Sequence, residues 1–225
     1  MSKAIVFDVD ETLGHFSQLY HLWNLINKYF EQKNRYTKII NSQFLFNLLL
    51  DTFPNYLRTN IFLVFSYILK EKQKNNIQKI ILYTNNKISK EWIFFIANYF
   101  EYKLNGKIFD EIICAYKIDS RRTTHEKTYS DLINIAELKD YKICFVDDLI
   151  HKKMLHPHVF YIYIPPCFYH YPINTFLELF LGVIDIEVDD FTKYIREEYK
   201  QKINHKVPQL KSLELLNKVK YFLQI

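Results

Sequence analysis

Residues 3–16 read KAIVFDVDETLGHF. Ala4, Ile5, Val6 and Phe7 run directly into Asp8 and Asp10, which are one valine apart. Glu11, Thr12, Leu13 and Gly14 follow. A short apolar run bounded by polar residues predicts a buried strand. Burying unpaired carboxylates is expensive. The two aspartates therefore either end the strand incidentally or carry the chemistry.

The pattern repeats along the chain. QKIILYTNN, from Gln78, predicts a second buried strand ending at Thr84. FDEIICAY, from Phe109, predicts a third. YKICFVDDL, from Tyr141, predicts a fourth, again ending in two acids, Asp147 and Asp148. HVFYIYIPP, from His158, predicts a fifth. Helical spacing marks the segments between them: NIFLVFSYILKEKQKN, SKEWIFFIANYFEY and EKTYSDLINIAEL. Ser89 is placed to cap the second of these. Alternating strands and helices from residue 60 onward predict an α/β fold, a parallel sheet with helices on both faces. Such sheets bind ligands beyond the C-terminal ends of their strands. Asp8 and Asp10, Thr84, and Asp147 and Asp148 all fall at that edge.

Two segments stand apart from this alternation. Residues 18–57 carry apolar residues at helical spacing (Leu19, Leu22, Trp23, Ile26, Phe30) and predict a helical insertion after the first strand, large enough for a small cap. A large lid favours small substrates by excluding water, whereas an open site admits a peptide. Residues 176–225 predict a helical C-terminal extension.

The totals fit this reading. A chain of 225 residues suffices for one compact domain, and 49% apolar with 24% charged residues is ordinary for a globular protein. Thirty basic against 25 acidic residues give a net charge of +5. That mildly favours an anionic partner without requiring nucleic acid. Three scattered cysteines, Cys114, Cys144 and Cys167, show no zinc or redox spacing and fit a reducing compartment. The N-terminus has no long apolar signal region, and the longest apolar stretch is too short for a bilayer. A cytosolic or nuclear protein with no membrane partner is expected.

Four carboxylates at one sheet edge repel one another unless a cation compensates. Oxygen donors without His or Cys favour a hard metal, Mg²⁺ first. A hydroxyl (Thr84) and a cation (Lys127, read as lying on the helix before the fourth strand) would hold phosphate oxygens. Lys117, Arg121 and Arg122 are alternative cations in the loop YKIDSRRTTHEK, which could also recognise an acidic phosphopeptide or a nucleotide phosphate. Together these are the parts of a phosphoryl-transfer site. Thr12 has a competing structural reading, a bond within its own turn. A lone histidine such as His15 is more often structural than a substrate contact.

Asp8-Val9-Asp10-Glu11-Thr12 after an apolar strand resembles the first motif of the haloacid dehalogenase (HAD) superfamily. ILYTNN resembles the second, Lys127 stands where the third-motif lysine falls, and ICFVDDL resembles the fourth. The four span residues 8 to 148 in order. Glu11, Leu13 and His15 further resemble the small C-terminal-domain phosphatase and NLI-interacting-factor-like branch. The chain departs from that branch at Gly14, at Arg58-Thr59, at DDL and in its long helical segment between the first two motifs. The resemblance implies a single HAD-like Rossmannoid domain over 1–225 and a Mg²⁺-dependent phosphomonoester hydrolase acting through an aspartyl-phosphate. A phosphoserine on a protein is the implied substrate. The alternatives are a nucleotide, a polynucleotide end or a small phosphorylated metabolite, and, in another class, an idle binding protein on the same fold. Asp8 is then the nucleophile, Asp10 the general acid and base, Thr84 a phosphate donor, and Lys127 the residue that neutralises phosphate and orients Asp8. The implied metal ligands are Asp8, the backbone carbonyl of Asp10, and Asp147 or Asp148.

Overall fold

The computed structural model describes residues 1–34, 40–200 and 212–225. Five parallel strands, β1 (Ser2–Phe7), β2 (Lys79–Tyr83), β3 (Glu111–Ile113), β4 (Tyr141–Asp147) and β5 (Val159–Tyr163), form one sheet in the order β3-β2-β1-β4-β5. This is the α/β class expected from the alternation. β1 lies at the centre, with Phe7 paired to Leu82 on one side and Val146 on the other. The strand order reverses across β1 and β4, and such a switch point opens a crevice at the C-terminal edge.

The chain divides into two compact units. The first contains Met1–Gly14, Arg58–Cys167 and the C-terminal helix, and therefore the whole sheet. Period-two alternation sends Ala4, Val6, Tyr83, Ile143 and Phe145 to one face, where they pack with Leu132 and Ala136 of helix α5 (Tyr129–Ile135). Ile5 and Phe7 point to the other face. There Phe7 meets Phe65 of α3 (Ile61–Gln73) with ring centroids 4.9 Å apart, and Phe65 meets Phe100 of α4 (Lys90–Leu104) at the same distance. Phe222 of α8 (Ser212–Gln224) stacks on Phe160 of β5. The buried rings among these, Phe7, Phe65, Phe100 and Phe222, each contribute about 1.5–3 kcal/mol.

Local chemistry sets the helix ends. The Ser89 hydroxyl accepts the Trp92 N–H at 3.1 Å, the expected cap of α4. The α5 boundary differs from the sequence reading. Thr128 is extended (φ −128°, ψ 147°) and its hydroxyl accepts the Asp131 N–H, so the helix starts at Tyr129. Lys127 consequently lies on the lead-in to the helix, not on it. The third strand is also shorter than FDEIICAY suggested, with three residues at the sheet edge.

The second unit comprises His15–Leu57 and the segment from Phe168. It contains α1 (Ser17–Gln32), α2 (Gln43–Thr52), α6 (Ile173–Leu181) and α7 (Val188–Glu198). Phe53 stacks on Phe176 at 4.5 Å, and Tyr29 meets Phe191 edge-on at 5.0 Å. Gln18 is its polar hub. Its amide nitrogen donates to the Tyr171 carbonyl and Tyr199 hydroxyl, and its oxygen accepts from the Tyr56 hydroxyl and Tyr171 N–H. His15 is likewise bonded at both ring nitrogens, to the Tyr169 carbonyl at 3.0 Å and the Ser17 hydroxyl at 2.9 Å. The insertion reading at 35–39, the end of the helix read from Asp190 and the start of the last helix lie outside the described residues.

Candidate functional site

Hydrogen bonds at the strand ends fix the first loop of the site. The Asp8 N–H donates to the Val146 carbonyl at 2.9 Å, tying the end of β1 to β4. Beyond it the chain turns tightly: Leu13 N–H reaches the Val9 carbonyl and Glu11 N–H the Gly14 carbonyl, both at 2.8 Å. The turn holds Glu11 in the left-handed region (φ 56°), uncommon for a residue with a side chain. Buried Arg58 clamps this strain. Its guanidinium donates to the carbonyls of Thr12 (2.6 Å), Glu11 (2.7 Å) and Pro165 (2.7 Å), and the Cys167 N–H adds a further bond to Glu11. Arg58 is thus a clamp on the turn that follows β1.

Asp8, Asp10, Thr84, Lys127, Asp147 and Asp148 all line one cleft of about 210 Å³. Lys127 is 2% exposed and bridges two carboxylates: its ammonium donates to Asp8 Oδ1 and, at 2.7 Å, to Asp147 Oδ2. Burial works to lower the Lys127 pKa, but the charges of Asp8 and Asp147 outweigh it and raise it. The other candidate cations do not line the cleft. Lys117 is exposed, Arg121 pairs with Asp119 and Glu111, and Arg122 lies behind Thr84, bound to carbonyl oxygens.

Asp147 and Asp10 have further donors of their own. Asp147 also receives the His151 ring at 3.2 Å and the Leu149 N–H at 2.8 Å. Burial alone would raise its pKa; these donors and Lys127 bring it below the ordinary carboxylate value. Asp10 accepts from the Asn86 amide at 2.8 Å. Burial and the Asp8 charge nevertheless raise Asp10 to about 6. Burial and the charges of Asp8 and Asp147 raise Asp148 to about 6. Burial, then Asp10, Asp148 and Asp8, raise Glu11 to about 8. For Asp8 itself, burial outweighs the pull of Lys127 and the shift is upward.

Thr84 is fully buried, and its hydroxyl oxygen accepts the Asn86 N–H at 3.0 Å, which leaves its proton to donate. Thr12 does not bond within its own turn. Its hydroxyl accepts the Asp148 N–H at 3.1 Å and donates to Asp148 Oδ1 at 3.2 Å, a reciprocal link across 136 positions of sequence. Sequence reasoning passed over Asn86 and His151, and noted Arg58 without assigning it a role. The NN after Thr84 was the available signal for Asn86. Nothing local marks His151.

Among the described residues, one group of three or more potential ligand side chains has its ligand atoms close together: Asp8, Asp147 and Asp148, within 4.8 Å of one another. The Asp10 carboxylate is not in this group; it is engaged with Asn86. An all-oxygen set with three mutually repelling carboxylates fits a hard divalent cation, Mg²⁺ before a soft transition metal.

Two predictions follow from these acids. In the folded, metal-free protein Asp10, Asp148 and Glu11 keep protons that unfolded carboxylates lose near pH 4. The native state therefore binds more protons than the unfolded one, and stability falls as pH rises through about 6 and on to about 8. Asp147 opposes this, because its lowered pKa gives stability that is present at neutral pH and lost only in acid. The melting temperature with chelator should decline between about pH 5.5 and about pH 8.5, and Mg²⁺ should raise it more at the upper value. A flat profile, or an equal Mg²⁺ effect at both, would contradict this charge balance. Separately, Thr12→Val removes the support of Asp148. Mg²⁺ affinity, read by calorimetry, should fall about 10–100-fold; unchanged affinity would remove Asp148 from the metal site.

No family model matches the chain, and no curated protein matches it. Among solved structures, a HAD-superfamily hydrolase of subfamily IA, variant 1, from Geobacter sulfurreducens PCA is similar over 66% of this chain and 81% of that chain. The identity is 14% and the TM-score 0.36, so the likeness bears on neither family nor activity. No helix among the described residues is long and apolar enough to cross a membrane.

Proposed function

We propose that this protein is a Mg²⁺-dependent phosphomonoester hydrolase acting through an aspartyl-phosphate, with phosphoserine on a protein as its substrate. One observation carries the reading: the residues that end β1, β2 and β4 converge with Lys127 in a single cleft. Lys127 engages Asp8 Oδ1, and the other carboxylate oxygen attacks phosphorus. The ester P–O bond then breaks, and Asp10 gives its proton to the leaving oxygen. A value of about 6 suits a group that must donate and then accept near neutral pH. In the second half Asp10 takes a proton from water as that water attacks the aspartyl-phosphate. Inorganic phosphate leaves and the Asp8 carboxylate is restored. Thr84 donates to a phosphate oxygen, and Lys127 neutralises charge on the phosphate while fixing Asp8. Mg²⁺ bound by Asp8, Asp147 and Asp148 would offset repulsion between the nucleophile and the phosphate dianion.

The cleft supports the choice of substrate. Its 210 Å³ is less than the roughly 300–1,000 Å³ of pockets that enclose a small ligand. A phosphoryl group fits, with the bulk of the substrate outside. Purified protein should hydrolyse an aryl phosphate with Mg²⁺ and not with chelator, and should prefer phosphoserine peptides over mononucleotides and sugar phosphates. Absence of any phosphomonoester hydrolysis would end the enzymatic reading. Preference for a nucleotide would replace the protein substrate with the small-molecule alternative.

A further inference from the structure

We propose that Arg122 is the positioning residue of this site, setting the Thr84 loop and the Lys127 lead-in against each other. The proposal rests on the phosphomonoester hydrolase reading above. Arg122 is 2% exposed and its side chain stacks 4.9 Å from the Tyr83 ring centre, directly before Thr84 in sequence. One terminal nitrogen donates to the Thr84 carbonyl (3.2 Å), the Asn85 side-chain oxygen (2.7 Å) and the Cys114 carbonyl (3.2 Å). The other donates to the carbonyls of His125 (3.2 Å) and Glu126 (2.7 Å). Three segments thus meet on one planar group: the loop after β2, the residue that follows β3, and the two residues before Lys127. Arg122 adds to two single bonds between them, Thr84 N–H to the Ile113 carbonyl and Thr128 N–H to the Tyr83 hydroxyl.

The acceptors explain why the residue is an arginine. All five are carbonyl oxygens, four from the main chain and one from an amide. A guanidinium presents its donors in a rigid fork, whereas an ammonium is a point charge on a flexible stem. Burying a cation among carbonyls is costly unless the geometry is good. Nε has no acceptor among the described residues, so the fork is not optimised for its own burial. Its donors go to the segments that carry Thr84 and Lys127. Arg122 would touch neither phosphate nor nucleophile; it acts through the two residues that do. Misplacing catalytic groups by about 1 Å can cost about 10²-fold in rate.

The test compares Arg122→Ala and Arg122→Lys with the wild type, using an aryl phosphate and Mg²⁺. In both variants kcat should fall about 10²-fold, with KM changing far less. Guanidinium ion at non-denaturing concentrations should restore kcat in Arg122→Ala, saturably, while Arg122→Lys stays slow because charge alone does not supply the fork. Hydrogen exchange should quicken in residues 84–86 and 125–127 of Arg122→Ala and remain slow in β1 and β4. Wild-type kcat in either variant would overturn the proposal. So would a loss that matches the unfolded fraction and does not respond to guanidinium, which would make Arg122 only a structural residue. If the wild type itself hydrolyses no phosphomonoester, the hydrolase reading fails first and takes the proposal with it.

Discussion

Asp8→Asn should abolish phosphomonoester hydrolysis, lowering kcat about 10⁴–10⁶-fold, while the protein folds at least as well as the wild type. The first half follows from the nucleophile's role: an amide oxygen does not form the acyl-phosphate, and removing a nucleophile is among the largest single losses in enzymes that work through one. The second half follows from the electrostatics. Asp8 is buried, and its pKa is raised because burial and the charge of Asp147 outweigh the pull of Lys127. Its ionised form therefore costs the folded state stability at neutral pH. Asn keeps an oxygen to accept the Lys127 hydrogen bond and removes one carboxylate from a cleft lined by five acidic residues. Thermal denaturation of the metal-free proteins should show Asp8→Asn with an equal or higher midpoint, the stability–activity trade-off expected of a strained site. Residual turnover above a few per cent would remove Asp8 from the nucleophile role. A sharp drop in midpoint would mean that the carboxylate is held mainly for structure.

Much of this site could be read before the fold was known, and the parts that could not share a physical cause. β1 and β4 are continuous apolar runs whose polarity changes abruptly at Asp8 and Asp147, so their ends were visible. Parallel topology then brings strand ends together without further information. Lys127 stands in sequence where the helix before the fourth strand is expected, but its place outside α5 depends on the cap at Thr128. Spacing alone could not distinguish it from Arg121 and Arg122. The partner of Thr12 lies 136 residues away, and those of Arg58 up to 107, so no local pattern reports them. What periodicity shows is which residues face the core and where elements stop. What it hides is which buried polar group satisfies which, because those pairings are decided by the sheet order.

That distinction makes Lys127 the more severe test of the folded site. Lys127→Met keeps the length and much of the volume of the side chain but leaves Asp8 and Asp147 facing each other with no cation between them. Breaking a buried ion pair by removing one partner costs about 3–5 kcal/mol, because the remaining charge stays desolvated. Here two carboxylates are left, both buried, and Asp148 adds to the repulsion. Urea unfolding of the metal-free variant at neutral pH should show a loss of that size. The loss should shrink in mild acid, where protonation of Asp8 and its neighbours removes the repulsion. It should also shrink with Mg²⁺, which supplies positive charge to the same carboxylates. Activity measured on the folded fraction should fall about 10²–10³-fold, the usual effect of losing one preorganised stabiliser of transition-state charge. The two readouts separate the roles. A variant that is stable yet inactive would place Lys127 on the phosphate alone. A variant that is unstable in metal-free buffer but hydrolyses phosphate normally once Mg²⁺ is bound would make Lys127 a charge-balancing strut, with the phosphate handled by Thr84 and the metal.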